Sequence, residues 1–147
     1  MAKNNLIIAS DHAGFELKNK LIKYLEQQDI KITDIGCYSE DSCDYPLIAK
    51  NAALEVLNKR AEKAILVCGT GVGMAIMANR YKGIRAAVVS DTCSAKMSRS
   101  HNDANILCIG ARILGFELAK DIVEIWLRTE FLGDRHTKRV IMMDDEV

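Results

Sequence analysis

The stretch that decides the fold is residues 65–74, which read Ile-Leu-Val-Cys-Gly-Thr-Gly-Val-Gly-Met. An apolar run ends in Cys68 and passes directly into three glycines at alternate positions, which is typical of a strand that ends in a loop. Glycines let backbone N–H groups approach a ligand closely, and a helix beginning near Val72 would point its positive end at the same place. The pattern predicts a site for an anion or oxyanion, with Cys68 beside it as nucleophile or general base. The alternative is a buried cysteine before an ordinary strand-to-helix turn.

The same unit, a short apolar strand followed by a helix, recurs along the chain. Leu6–Ala9 is a continuous apolar run, and three leucines follow it at helical spacing. The charged residues of that first helix are expected on its opposite, polar side: Lys18, Lys20, Lys23 and Glu26. Further strands are predicted at 30–35, 64–68, 85–90 and 106–109, and further helices at 46–57, 72–81, 92–100 and 113–128.

Successive strand–helix units predict an α/β fold with a doubly wound, mainly parallel five-stranded sheet and helices on both faces. This is a Rossmann-like three-layer sandwich, in which ligands bind at the carboxyl ends of the strands. The 147 residues suffice for one domain with a full core, so residues 1–147 are expected to form a single domain. The tail, residues 133–147, is predicted to be a short helix that docks on the body or, as we favour, on a partner subunit.

Charge and hydropathy exclude several classes of protein. The 20 basic residues balance 20 acidic ones, so no general affinity for nucleic acid or an anionic membrane is indicated. The apolar runs are too short to span a bilayer, and the first residues do not resemble a signal peptide. We therefore expect a cytoplasmic protein.

Five cysteines are spread along the chain, with no Cys-x-x-Cys pair among them. Neither a disulfide framework nor a zinc site follows from this spacing. Cys37, Cys93 and Cys108 lie in or beside apolar segments, where we expect them to pack as small apolar residues. No histidine pair has ligand spacing either, so no metal site is predicted.

Polar residues gather where the predicted strands end. Asp11 and His12 follow the first strand, and Cys68 with its glycine loop follows the third. We expect these groups, together with His101 and Asn102 before the fifth strand, to lie on one rim of the sheet. Two histidines on one rim would indicate a functional site rather than idle surface residues.

Arginines in the tail suggest a second half of the site. Arg135 and Arg139 are four apart, so in a helix both guanidinium groups lie on one face and can grip a phosphate. Arg112, just past the fifth strand, is a third candidate. The alternative is a solvated basic face or a contact with an acidic neighbour.

The glycine loop has a competing interpretation as a dinucleotide fingerprint. Asp91 lies about 20 residues beyond it, where the ribose-binding acid of such a site is expected. Against this, Met74 occupies the position of the third glycine of Gly-x-Gly-x-x-Gly. A Walker phosphate loop is excluded, because no Gly-Lys-Ser/Thr follows.

Seven segments, in order, resemble the ribose-5-phosphate isomerase type B family, within the wider group that includes galactose-6-phosphate isomerase. They are Ser10-Asp-His-Ala-Gly-Phe15, Asp44-Tyr-Pro46, Cys68-Gly-Thr-Gly-Val-Gly73, Gly83-Ile-Arg-Ala86, Ser100-His-Asn-Asp103, Gly110-Ala-Arg112 and Arg135-His-x-x-Arg139. The resemblance implies interconversion of ribose 5-phosphate and ribulose 5-phosphate in the pentose phosphate pathway. It also implies no metal and no organic cofactor, and a homodimer that can pair into tetramers.

The resemblance further implies roles for individual residues. Cys68 is the base that moves a proton between C1 and C2, and Thr70 with the loop N–H groups stabilises the enediolate. His101 assists opening of the sugar ring. Substrate binding falls to Asp11, His12, Tyr45, Gly69, Gly71, Val72, Gly73, Asn102, Arg112, Arg135 and Arg139. In the family the tail arginines serve the neighbouring subunit's site, so active sites are shared.

One branch of the family uses a glutamate just after the glycine loop as the base. Met74 stands there and cannot take a proton, which places this chain in the cysteine branch. Two alternatives stay open: a six-carbon substrate such as allose or galactose 6-phosphate, and a nucleotide-binding or regulatory module without this activity.

Overall fold

The structure is a computed structural model that describes residues 5–145. Its strands are β1 (Asn5–Ser10), β2 (Lys31–Asp34), β3 (Lys63–Cys68), β4 (Ala86–Val88) and β5 (Ile106–Gly110). Its helices are α1 (Phe15–Glu26), α2 (Tyr45–Leu57), α3 (Val72–Ala78), α4 (Thr92–Ser100), α5 (Phe116–Arg128) and α6 (Arg135–Asp145).

The five strands form one parallel sheet in the order β2-β1-β3-β5-β4. β3 lies in the middle, where Ile8 pairs with Ile65 on one side and Leu107 pairs with Ile65 on the other. Central parallel strands are covered on both faces, which explains why β1, β3 and β5 are runs of buried apolar residues. The predicted doubly wound α/β sheet is confirmed.

Two apolar cores lie on opposite faces of the sheet. One core joins alternate strand residues to α1, α4 and α5 and is centred on the fully buried Trp126. The other joins the remaining strand residues to α2 and α3, and Cys68 lies in it. Alternation of side chains along each strand produces this division.

The path of the chain leaves a crevice above β3. The chain leaves β1 and β5 toward α1 and α5 on one face, whereas it leaves β3 toward α3 on the other face. Neighbouring strands whose connections diverge in this way leave an open place at their carboxyl ends, where α/β proteins bind ligands. The glycine loop that follows β3 therefore lies at this divergence.

Two expectations about side chains and helix ends were wrong. Lys18, expected on the polar side of α1, is fully buried, because its ammonium group binds both carboxylate oxygens of Asp34 at 2.8 and 2.9 Å. Helix α3 ends at Ala78 rather than near 81, because the next N–H groups turn back to carbonyls of the last helical turn. Lys20, Lys23 and Glu26 are exposed as predicted.

The predicted tail helix exists as α6, while 146–147 lie outside the described residues. It packs on the body of its own chain through the buried His136 and Val140. At its far end the guanidinium of Arg85 contacts both carboxylate oxygens of Asp144 at 2.9 Å. Within residues 5–145, none of the helices is both long and apolar enough to cross a membrane.

Candidate active site

Cys68 is the last residue of β3, and its side chain is buried beneath the glycine loop. The backbone N–H of Gly71 donates a hydrogen bond to Cys68 Sγ at 3.1 Å. Gly71 has a φ of +83°, and a Cβ atom there would lie 3.1 Å from the backbone of Ile109. Glycine is therefore required for the loop to fold back over the sulfur atom.

Thr70 and Arg112 lie on the outer side of this loop. The N–H of Val72 donates to Thr70 Oγ1 at 3.3 Å, which leaves the threonine O–H free to donate elsewhere. The side chain of Arg112 lies across Gly69, and its backbone N–H donates to the Gly69 carbonyl at 3.0 Å. The guanidinium of Arg112 and the hydroxyl of Thr70 therefore flank the opening of the crevice above Cys68.

Tyr45 closes the side of the loop that faces α2. Its ring packs so closely on Gly73 that a Cβ atom there would lie 2.6 Å from Cε2 of the tyrosine. Tyr45 begins α2 beside Pro46, whose fixed φ suits the first turn of a helix. The tyrosine hydroxyl is therefore held next to the glycine loop.

Asp11 and His12 border the same crevice from β1. The N–H of Asp11 donates to the carbonyl of Val67 at 3.1 Å, so the segment after β1 runs beside the end of β3. The buried carboxylate of Asp11 accepts the Gly14 N–H at 3.0 Å. His12 Nδ1 accepts the N–H of Cys43 at 3.3 Å, which leaves Nε2 to carry the proton in the neutral ring.

A second cysteine lies behind the site. Cys108 is fully buried on β5, and burial together with the nearby Cys68 raises the pKa of its thiol far above the ordinary value. Burial therefore favours the neutral thiol of Cys108 over its thiolate. Cys68, at the surface of the same core, is the thiol that the crevice can reach.

Four predicted site residues do not lie beside Cys68 at the carboxyl edge of the sheet: His101, Asn102, Arg135 and Arg139. Asn105 follows His101 and Asn102 by a few residues. Its N–H donates to the carbonyl of Arg85 and its carbonyl accepts the N–H of Ala64, at the beginnings of β4 and β3. His101 and Asn102 therefore lie at the amino edge of the sheet, opposite Cys68. The expectation of one rim was wrong for these residues, because a loop that precedes a parallel strand lies at the other end from a loop that follows one.

The amino-edge residues form a group of their own. The rings of His101 and His136 stack, with centroids 4.2 Å apart. Arg135 and Arg139 are exposed on the same helix, α6. Asn102 lines a cavity of about 400 Å³ with Arg85 and Asp144.

The two groups are far apart within one chain. Strand β3 runs from one edge to the other with six residues, and the five steps between its first and last residues cover about 16 Å at roughly 3.3 Å per step. At the carboxyl edge the structure brings together Asp11, His12, Tyr45, Cys68, Gly69, Thr70, Gly71, Val72, Gly73 and Arg112. At the amino edge it brings together His101, Asn102, Arg135 and Arg139.

Asp91 has a structural use that competes with ribose binding. Its carboxylate caps α4 by accepting the N–H of Ser94 at 2.7 Å, and these hydrogen bonds lower the pKa of the aspartate. Strand β5 also lies between β3 and β4, so Asp91 is not on the strand adjacent to the glycine loop. A dinucleotide fingerprint needs that adjacency.

Several residues near the site were not singled out from the sequence. Lys18 and Asp34 form an ion pair beside the loop between β2 and α2, and the N–H of Cys43 donates to His12. His136 lies within the segment Arg135-His-x-x-Arg139, but the sequence predicts no role for it. Cys93 is exposed rather than packed, and Cys37 is half-buried. Within residues 5–145 there is no group of three His, Cys, Asp or Glu side chains placed to hold a metal ion.

Comparison with known proteins agrees with this geometry. Residues 6–143 match the model of the family described as Ribose/Galactose Isomerase. The chain is 45% identical over 130 residues to ribose-5-phosphate isomerase B of Escherichia coli, which covers 88% of this chain and 87% of that protein.

Solved structures agree as well. The structure of a ribose 5-phosphate isomerase from Thermotoga maritima is 50% identical with a TM-score of 0.94, covering 97% of this chain and 98% of that one. Ribose-5-phosphate isomerase B from Mycoplasma genitalium, solved with bound ribulose-5-phosphate, is 35% identical with a TM-score of 0.92, covering 97% and 95%. Because the matches span nearly the whole chain in both sequence and fold, this chain belongs to the ribose/galactose isomerase family and is an aldose–ketose isomerase.

Proposed function

We propose that this chain, as a single isomerase domain, interconverts ribose 5-phosphate and ribulose 5-phosphate through an enediolate, with Cys68 as the base. The observation that carries the proposal is the position of the Cys68 thiol at the end of β3, where the Gly71 N–H donates to its sulfur at 3.1 Å. A donated hydrogen bond stabilises a thiolate, and a thiolate can remove a weakly acidic proton alpha to a carbonyl.

Aldose–ketose isomerisation requires a proton transfer between C2 and C1 and hydrogen-bond donors that point at the oxygen atoms where negative charge develops. Cys68 takes the proton from C2 of the open-chain aldose and returns it to C1, so no covalent adduct forms. The negative charge that develops on the oxygens of C1 and C2 needs N–H and O–H donors. The hydroxyl of Thr70, which accepts from Val72 and can still donate, supplies one donor. The loop N–H groups between Gly69 and Gly73 supply the others, apart from those of Gly71 and Val72, which already donate to Cys68 Sγ and Thr70 Oγ1.

Sugar hydroxyls are assigned to the residues that border the crevice. One carboxylate oxygen of Asp11 accepts the N–H of Gly14, and the other oxygen can accept a hydrogen bond from a sugar hydroxyl group. His12 offers Nε2–H, because its Nδ1 accepts from Cys43. Tyr45 adds its hydroxyl beside Gly73.

The phosphate and the ring-opening step are assigned to a second copy of the chain. His101, Asn102, Arg135 and Arg139 lie about one strand length from Cys68 of their own chain, which is too far for one sugar phosphate to touch both groups. In a homodimer with shared sites, the amino edge of one copy faces the carboxyl edge of the other. Arg112 contributes from the same copy as Cys68, and dimers can pair further into tetramers.

A second candidate is a six-carbon substrate. The family description names galactose beside ribose, and the same base and donors would serve allose or galactose 6-phosphate. The deciding experiment compares kcat/KM for ribose 5-phosphate, allose 6-phosphate and galactose 6-phosphate. A preference for ribose 5-phosphate supports the proposal, whereas equal or better turnover of a six-carbon sugar phosphate contradicts the substrate and retains the mechanism.

The same preparation tests the remaining alternatives. Activity that survives EDTA supports a reaction without metal, as proposed. Binding of nicotinamide or adenine nucleotides in a titration, without isomerase activity, would replace the proposal by a nucleotide-binding module.

A further inference from the structure

The segment Gly83-Ile-Arg-Ala86 is one of the seven that carry the family resemblance, yet the proposed mechanism gives it no part. Its arginine, Arg85, immediately precedes β4 and therefore lies at the amino edge of the sheet, the edge that also holds His101. The side chain of Arg85 is only 16% exposed. A cation that is largely removed from water needs partners, and these partners show which segments Arg85 connects.

The backbone of Arg85 is fixed by the side chain of Asn105. The N–H of Arg85 donates to Asn105 Oδ1 at 2.8 Å, and Asn105 Nδ2 donates to the carbonyl of Gly83 at 2.8 Å. The backbone N–H of Asn105 also donates to the carbonyl of Arg85 at 3.0 Å. The planar guanidinium therefore extends from a fixed base, so little freedom is lost when it binds its partners.

One side of the guanidinium holds the turn that follows His101 and Asn102. Nε of Arg85 donates to the carbonyl of Asp103 at 3.0 Å, and Nη2 donates to one carboxylate oxygen of Asp103 at 3.4 Å. The other carboxylate oxygen accepts from Nη1 of Arg99 at 2.8 Å. Asp103 has a φ of +47°, a conformation that is uncommon for residues other than glycine. The turn next to His101 is therefore held by two arginines.

The other side of the guanidinium holds the end of the tail helix. Nη1 of Arg85 donates to both carboxylate oxygens of Asp144 at 2.9 Å. The buried residues of α6 are His136 and Val140, which lie in its first half, whereas residues 141–143 are exposed. The ion pair thus attaches the second half of α6 to the body of the chain. It thereby fixes the direction of the helix that carries the tail arginines.

We propose that Arg85 is a positioning residue, which joins the end of α6 to the turn after His101 and so holds the tail arginines in a set arrangement with that histidine. The effect on catalysis rests on the proposed functions of His101, Arg135 and Arg139. The connection between the two segments does not.

A substrate that spans the tail arginines and His101 needs both in place at once. If the two segments moved independently, substrate would bind only the fraction of molecules in which both are correctly placed, and the apparent affinity would fall by that fraction. A guanidinium that binds both segments before the substrate arrives avoids this loss.

Hydrogen exchange of the folded protein tests the connection. In Arg85→Met, the backbone amides of residues 101–105 and 141–145 should exchange about tenfold faster than in wild type, because charged hydrogen bonds to both segments are lost. The amides of the central strand β3 should be unaffected. Arg60→Met is the matched control, because it removes an exposed guanidinium that pairs with Glu55. Unchanged exchange of both segments in Arg85→Met overturns the proposal.

Kinetics separates positioning from general stability. Arg85→Met, assayed where circular dichroism shows it to be folded, should raise KM for ribose 5-phosphate and lower kcat, each about threefold to tenfold. Asp144→Ala releases only the tail, so KM should rise while kcat stays within about twofold of wild type. Arg60→Met should match wild type in both constants. Wild-type constants in Arg85→Met, or an equal loss of kcat in Asp144→Ala, overturn the proposal.

Mixed dimers locate the defect. With shared sites, the hybrid of Cys68→Ala and Arg85→Met has one site made of two intact halves, so refolding an equal mixture should restore about one quarter of wild-type activity. The mixture of His101→Ala and Arg85→Met should show no gain, because both changes affect the amino edge. Equal recovery in the two mixtures overturns the proposal.

Failure of the proposed function has a different signature. Wild type without isomerase activity would contradict the function, and no recovery in a mixture of Cys68→Ala and His101→Ala would contradict shared sites. Hydrogen exchange still decides in either case whether Arg85 joins the two segments. If that last mixture recovers and the mixture of Cys68→Ala and Arg85→Met does not, the proposal is overturned.

Discussion

The imidazole ring of His136 stacks on that of His101, with 4.2 Å between centroids and 12° between planes. His136 is buried where α6 meets the body of the chain, and His101 ends α4. The contact orients His101, the residue to which we assign ring opening. It also brings a second titratable group next to it.

The first prediction concerns pH and stability. Burial, and then the positive charge of His101, Arg135 and Arg139, lower the pKa of His136 below its ordinary value of 6.5. Asp134 opposes the shift and is outweighed. The unfolded chain therefore binds a proton more readily, so this contribution to stability is complete above about pH 6.5 and is lost as the pH falls through the folded pKa.

Urea unfolding at pH 7.5 and 5.5 measures this contribution. Wild type should lose stability at the lower pH, and His136→Phe, which keeps an aromatic ring in the stack, should lose less. Equal losses in the two proteins would contradict the assignment to His136.

The second prediction concerns the base. Cys68→Ala should fold normally, because it removes one sulfur from the edge of a core, and kcat should fall about 10²- to 10⁴-fold, as expected for loss of a general base. Circular dichroism checks the fold, and a coupled assay checks turnover. The control Cys93→Ala removes an exposed thiol and should be fully active. Substantial activity in folded Cys68→Ala would refute the base assignment.

The third prediction concerns shared sites. Cys68→Ala and His101→Ala each inactivate every site of their own homodimer. A hybrid of the two has one intact site when sites are shared, so refolding an equal mixture should restore about one quarter of wild-type activity. Sites confined to one chain would stay inactive in the mixture.

A matched mixture serves as control. Cys68→Ala and Asp11→Asn both change the carboxyl edge, so every site of their hybrid carries one defect. No recovery is expected there, and recovery in this control would contradict the proposed division of the site.

The local elements of this fold could be predicted from the sequence, but their arrangement could not. Short continuous apolar runs such as Leu6–Ala9 indicate strands, because a strand covered on both faces is apolar throughout and a helix is usually longer. The order β2-β1-β3-β5-β4 depends on which strands pair, which no local pattern encodes.

The same distinction holds for the site. Cys68 and its glycines are adjacent in sequence, so their grouping could be predicted. His101 could not be placed by proximity to a strand alone, since the edge depends on whether the loop precedes or follows that strand. Lys18 was misplaced because its partner, Asp34, is 16 residues away in another element.

The fourth prediction separates binding from stability at Gly73. In Gly73→Ala the new methyl group would lie 2.6 Å from the ring of Tyr45, which is 41% exposed and can swing outward. KM should therefore rise severalfold. The free energy of unfolding should change by less than about 1 kcal/mol, because alanine is the better helix former and offsets the clash.

Gly115→Ala is the control for this change. No atom lies within 4 Å of a Cβ at Gly115, whose φ is −74°. Its KM should equal that of wild type. Equal KM in both variants would show that Tyr45 does not bind substrate as proposed.

The last prediction compares two lysines of the same helix. Lys18 is fully buried and binds Asp34 and the Cys37 carbonyl, whereas the Lys20–Glu16 pair is exposed. Lys18→Met leaves the Asp34 carboxylate and a carbonyl without their cation, so unfolding should become easier by about 2 to 3 kcal/mol. Lys20→Met should change stability by less than about 0.5 kcal/mol. Urea titrations of both variants test this: similar losses would mean that the contacts of Lys18 with Asp34 and with the Cys37 carbonyl do not stabilise the protein.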